Sequence, residues 1–294
     1  MATAAPAEPG QLNPAARIRP LALGGALDEA VLVVRDHFIL LLKTSLLVTF
    51  VPMAVAVYFG YGRLEKHAQR FSIPGQAGPD DLLALLREFG TVTMPLMILA
   101  YRVAEPIALG ALVLHTAAAL HGRPLSLRDS VRASLLRSAP LIALWFVRWI
   151  AIKVCLIFCY FPGILVAGLF LSALPALMLE DRGPLGAIGR SVEVNRKRLL
   201  PAAGLAIVLF LIESYQMFLP EIVPVLSVRS LLHAGCYAAM LPMYAAACTA
   251  FYYSGRCESE HYDVQLLAAE VARGLAETPA ADEPVVVPPS EEPN

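Results

Sequence analysis

Charge is what this sequence has least of. Only 16% of its 294 residues are charged, 57% are hydrophobic and the mean hydropathy is +0.63. An ordinary soluble domain carries about 25% charged residues, so this composition argues against a water-soluble globule. The net charge of −1 lacks the basic surplus of a nucleic-acid binder, and no nucleic-acid partner is expected. Cysteines are few and odd in number: Cys155, Cys159, Cys236, Cys248 and Cys257 make no disulfide framework. Cys155 and Cys159 share a face of a predicted helix, where small residues packing between helices explain them better than a soft-metal site. The histidines are scattered without metal-ligand spacing. HExxH, P-loop, GxGxxG and nucleophile-elbow patterns are all missing. The expectation is therefore a non-enzyme with no catalytic residues, no metal and no cofactor.

What the chain does have is long apolar runs. A bilayer core takes about 20 mostly apolar residues per helix. Six segments qualify: Phe38–Tyr61, Val92–Leu120, Pro140–Phe161, Gly163–Leu179, Leu200–Leu219 and Leu231–Phe251. They hold only six of the 47 charged residues. Phe161-Pro162-Gly163 is expected to turn the third span tightly into the fourth. The first 20 residues contain no apolar signal-peptide core, so the first span would serve as an uncleaved membrane signal. The predicted fold class is all-α, a polytopic membrane bundle of six transmembrane helices. A disordered tail (1–16) precedes the membrane domain (17–276), and an acidic, proline-rich disordered tail (277–294) follows it.

Basic residues orient the bundle. With the N-terminus in the cytoplasm, 14 Lys and Arg fall inside and five outside; the inner set includes Arg17, Arg19, Arg35, Arg123, Arg137, Arg182 and Arg256. The outer five are Arg63, Lys66, Arg70, Arg87 and Arg229. Both termini are then cytoplasmic. Each odd-numbered span is preceded by a similar segment, Leu23 to Arg35, Leu125 to Arg137 and Leu185 to Lys197, with apolar positions at helical spacing. Ser126 and Gly183-Pro184 are expected helix starts. We read three cytoplasmic amphipathic helices lying at the interface, in a threefold repeat of interfacial helix plus hairpin, their arginines reaching anionic headgroups of membrane lipids. Asp80 to Arg87 reads as a further short amphipathic helix on the outer side.

Of the six charges within spans, Lys43 is near the cytoplasmic end of the first and can snorkel to the interface; the five deeper ones, Arg102, Glu105, Arg148, Lys153 and Glu213, each need a partner or a polar cavity. Arg102 and Glu105 are spaced for an internal ion pair. Lys153 and Glu213 each lie 13 residues past the start of a span, which puts them at equal depth to pair or share a cavity. At the cytoplasmic border, Glu180, Asp181, Arg190, Ser191, Arg256, Glu260 and Asp263 are candidate interface residues, with helix-end electrostatics the simpler explanation.

The border residues also carry a resemblance. Arg19-Pro20-Leu21 with Leu23-Gly24, Phe161-Pro162-Gly163-Ile164, Leu179 to Leu185 with Arg190-Ser191, and Tyr252-Tyr253, Arg256, Glu260, Tyr262-Asp263 make the chain resemble the membrane domain of some bacterial glycerophosphoryl diester phosphodiesterases. Related domains occur as free-standing, uncharacterised multi-pass membrane proteins. The resemblance implies a membrane scaffold in the bacterial inner (plasma) membrane. It does not imply the hydrolase, whose separate barrel uses a His-Arg-Gly motif that is missing here. The leading functional expectation is a scaffold or regulator in envelope or lipid homeostasis, with a cytoplasmic protein partner. The competing expectation is a transporter or lipid-handling protein with a polar site at mid-membrane.

Overall fold

Long apolar sequences with few turn signals satisfy their backbone groups internally, and the described residues fold accordingly into helices with no strand among them. The computed structural model describes residues 18–61, 79–123, 125–223 and 225–277. The expected N-terminal tail, the acidic tail from residue 278 and the outer segment 62–78 lie outside these, as do Arg17, Arg63, Lys66 and Arg70. The helices are α1 (Leu23–Ser45), α2 (Val51–Val55), α3 (Pro79–Glu88), α4 (Met94–Ile98), α5 (Glu105–Leu120), α6 (Leu127–Leu136) and α7 (Ser138–Phe158). There follow α8 (Tyr160–Leu169), α9 (Ala173–Leu179), α10 (Pro184–Asn195), α11 (Leu199–Phe218), α12 (Leu226–Glu260) and α13 (Tyr262–Glu277).

Several of these run together. Five helical stretches are long and apolar enough to cross a membrane: Leu23–Phe59, Asp80–Leu120, Ser138–Phe158, Tyr160–Leu179 and Val228–Glu260. The fifth expected span forms the 20-residue helix α11. These apolar helices are those of a multi-pass membrane protein, and outward side chains such as Ile157 (81% exposed) and Phe158 (84%) suit a lipid surround.

Proline shapes the first two spans. Pro52, Pro95 and Pro106 each sit just after a π-helical turn, respectively Leu46–Phe50, Phe89–Thr93 and Leu99–Ala104. Proline donates no backbone hydrogen bond and its ring crowds the carbonyl four residues back, so the preceding turn widens.

Two expectations need correction. The hairpin between the third and fourth spans turns at Cys159 alone, whose extended backbone (φ −167°, ψ 137°) separates α7 from α8. Pro162 and Gly163 lie instead in the first turn of α8, where a missing N–H costs nothing. Gly163 is there for closeness: a Cβ on it would stand 2.5 Å from the Leu156 side chain. The fourth span is also not one helix. It breaks at Phe170-Leu171-Ser172, between α8 and α9.

The segments before odd-numbered spans are helical; the first two end at a backbone break, His37 (φ −118°, ψ 20°) inside α1 and Arg137 (φ −105°, ψ 16°) after α6, and the third passes from α10 through the tighter turn Arg196–Arg198 into α11. Ser126 caps α6, accepting from the Asp129 N–H at 3.1 Å, and Pro184 opens α10. Their packing differs from the leucine stripe. α6 buries Ser130 and Ser134 and leaves Leu135 exposed; α10 buries Ala187, Arg190, Ser191, Val194 and Asn195 and leaves Leu185 exposed. Small and hydrogen-bonding side chains let helices approach closely, whereas leucines gain little by turning from lipid to protein.

The interior is alanine-rich for the same reason. α5, buried through most of its length, packs on α1, α6 and α12, while α8 packs on α7 and α11. Gly168 marks a crossing where backbone meets backbone: a Cβ there would stand 2.7 Å from the Ala203 backbone nitrogen of α11.

Candidate functional site

The five intramembrane charges, scattered over 112 positions of sequence (102–213), converge on one place. Arg102, Glu105, Arg148, Lys153 and Glu213 all line a cavity of about 560 Å³ enclosed by α5, α7, α8, α11 and α12. At about 1.5 Å per helical residue, Lys153 lies ~22 Å along α7 and Glu213 ~21 Å along α11, level as their spacing requires. They share the cavity rather than forming an ion pair. Glu213 is nonetheless within electrostatic reach of Arg148, Arg102 and Lys153.

The expected Arg102–Glu105 ion pair does not form either. The π turn that ends at Ala104 spreads residues further round the axis, and Arg102 lies over the Trp149 ring, 4.9 Å from its centroid. Arg102 Nη1 also donates to the Tyr101 carbonyl at 3.3 Å. Glu105 is buried (5% exposed) beside Tyr237. Arg148 donates through Nη2 to the Tyr244 hydroxyl and stacks over Trp145, 5.0 Å from the ring centroid. Its Nη1 is buried without an acceptor among the described residues.

Aromatic residues complete this site, although charge patterning in the sequence does not point to them. Both tryptophans of the chain line the cavity, with Tyr101, Tyr237 and Tyr244. Trp145 Nε1 donates to the Tyr101 carbonyl at 3.1 Å, and Tyr101 and Tyr237 meet edge to face at 5.4 Å. The available signal was Trp145 and Trp149 flanking Arg148 one turn apart on α7.

The broken fourth span backs the cavity through Ala167 and Leu171. The break frees the carbonyl of Leu169 and leaves that of Gly168 with a three-residue turn bond from the Leu171 N–H at 3.2 Å, and α10 supplies side-chain donors to both. Ser191 Oγ donates to Leu169 O at 2.6 Å; Asn195 Nδ2 donates to Gly168 O at 3.1 Å and to Leu169 O at 3.3 Å. Irregular backbone at membrane depth survives only when satisfied in this way.

The border residues gather at the opposite, ion-paired end. Arg190, 8% exposed, donates through Nε to both Glu180 oxygens at 3.0 Å, through Nη1 to Glu193 at 3.1 Å, and through Nη2 to Glu260. Burial disfavours its charge, yet the hydrogen bonds to Glu260, Glu180 and Glu193 outweigh that and push its pKa up. Burial likewise works against Glu180, but the Tyr252 hydroxyl and Arg190 hold its carboxyl below the ordinary range. Arg256 binds Glu260 at 3.0 Å and lies over Tyr262 at 4.1 Å. Asp181, with left-handed backbone (φ 55°), pairs with Arg137, which also holds the Leu177 carbonyl at 2.6 Å. Ser191 faces inward to the α8 carbonyl, and Asp263 stands in the first turn of α13. This end is internally matched.

No protein-family model matches the chain, and neither a curated protein nor a solved structure matches it.

Proposed function

We propose that the chain is a lipid-handling or transport protein of six membrane spans whose working site is the cavity at mid-membrane. The observation that carries this reading is that all five intramembrane charges line one cavity while no ion pair joins them. A scaffold would be expected to pair such charges in dry packing, because each costs roughly 2.5–3.5 kcal/mol at a helix centre. The interrupted fourth span supports the same reading, since discontinuous helices commonly build intramembrane sites.

The competing role, a non-enzymatic scaffold or regulator with a cytoplasmic protein partner, draws its support from the ion-paired end, where α10, α12 and α13 are tied together. In both readings the chain resides in the bacterial inner membrane with its termini in the cytoplasm, contacts anionic lipids there, and is kin to the phosphodiesterase membrane domain it resembles. A reporter fused after Gly75 should then read extracytoplasmic. Native mass spectrometry of the purified protein tests the function: retained lipid that is lost from an Arg148→Gln variant supports lipid handling, and a lipid-free native protein supports the scaffold.

A further inference from the structure

We infer that the cavity receives an amphiphile with a single anionic phosphodiester headgroup, the chemistry of an anionic phospholipid; this rests on the lipid-handling reading above. The headgroup site is built from two guanidiniums on two indoles. Trp145 and Trp149 lie one turn apart on α7, Arg148 over the first at 5.0 Å and Arg102 over the second at 4.9 Å. Stacking holds the plane of each guanidinium, and a planar fork of donors matches phosphate oxygens in pairs. Arg148 uses one terminal nitrogen on Tyr244 and leaves the other, Nη1, buried with no acceptor among the described residues. A buried donor on a charged group is costly to leave unmatched, and an anionic oxygen is the acceptor that suits it.

The charge count fixes the headgroup's sign. Arg102, Arg148 and Lys153 face Glu105 and Glu213, so the cavity carries at least one net positive charge even with both carboxylates ionised. The walls select an amphiphile over a free ion: Leu156, Leu171, Leu209, Phe210, Met240 and Leu241 surround the charged groups with apolar surface. Phe210 lines the cavity and is also 66% exposed on α11, so the space reaches the lipid-facing surface of the bundle. A volume of about 560 Å³ takes a headgroup and the root of its chains, leaving the rest of the tails along α11.

The test is native mass spectrometry of the full chain with phosphatidylglycerol and phosphatidylcholine of identical acyl chains, and with inorganic phosphate as competitor. Wild type should retain phosphatidylglycerol about tenfold over phosphatidylcholine. Arg148→Gln should remove that preference, and Arg102→Lys, which keeps the charge but not the fork, should reduce it. A melting curve identifies any variant that fails to fold, and the other then carries the test. Equal retention of both lipids by wild type overturns the headgroup assignment and leaves lipid handling standing. Retention of neither overturns both. Displacement of lipid by millimolar inorganic phosphate overturns the amphiphile in favour of a free anion.

Discussion

The two charged regions of this molecule, the ion-paired end and the cavity, use the same side chains in opposite ways. At the ion-paired end, Arg190 meets three carboxylates and Glu180 meets Arg190, Arg182 and Tyr252, so both of these charges have counterparts within the chain. In the cavity, Arg102 and Arg148 rest on aromatic rings, and Arg148 keeps Nη1 without an acceptor among the described residues. Arginine satisfied by protein holds helices together; arginine satisfied only in part keeps capacity for something else. The contrast is sharp because both regions take charge out of water, where an unmatched group is expensive.

The contrast can be broken by substitution, most strongly at the paired end. Arg190→Met removes the buried partner that joins Glu180 to Glu260, leaving Glu180 with Arg182 and Tyr252 and Glu260 with Arg256, and should cost about 3 kcal/mol, read as a lowered melting temperature in detergent. Next in size is Gly168→Val, which drives a side chain into the Ala203 backbone and should cost about 1–3 kcal/mol by the same measurement. Replacing Ser191 and Asn195 together by alanine removes both donors to the Leu169 carbonyl; that unmatched carbonyl should cost about 1–3 kcal/mol, and hydrogen exchange should rise at α9 before it rises elsewhere.

Acid titration should separate the ends without mutation. The Glu180 carboxyl is held below its ordinary value of 4.5, so its contribution is complete above that pH and is lost as pH falls through the lower folded value. Wild type should therefore lose stability in acid, and Glu180→Gln should start less stable and flatten that limb. The smallest stability effect is expected in the cavity. Neutralising Lys153 and Glu213 together should shift melting by less than about 1 kcal/mol, because no ion pair joins them; a large loss, with the double variant rescuing the single ones, would make them a structural pair.

Much of this architecture was legible in the chain. Apolar run length marks the spans, because hydrocarbon admits little else, and residue spacing placed Lys153 and Glu213 at one depth. The capping residue Ser126 and the opening Pro184 act within one helical turn, so local chemistry specifies them. The break at Phe170-Leu171-Ser172 was not legible. Those residues carry neither glycine nor proline, and the freed Leu169 carbonyl is satisfied by Ser191 and Asn195, more than 20 positions away. The buried faces of α6 and α10 were misread because leucine prefers burial in water but has no such preference within lipid.

The sequence by itself determined that the chain enters a membrane, which segments are helical, and that five charges must be accommodated among apolar residues. Hydrophobicity, helix periodicity and the cost of buried charge are properties of composition and local order, and they need no partner in space. Only the tertiary structure decided that those five charges share one cavity instead of pairing, that both tryptophans support its arginines, and that Arg190 meets Glu180 and Glu260 from other segments besides Glu193 of its own helix. Which side chains meet depends on how helices rotate and cross, and that is set by small-residue contacts summed over the whole bundle.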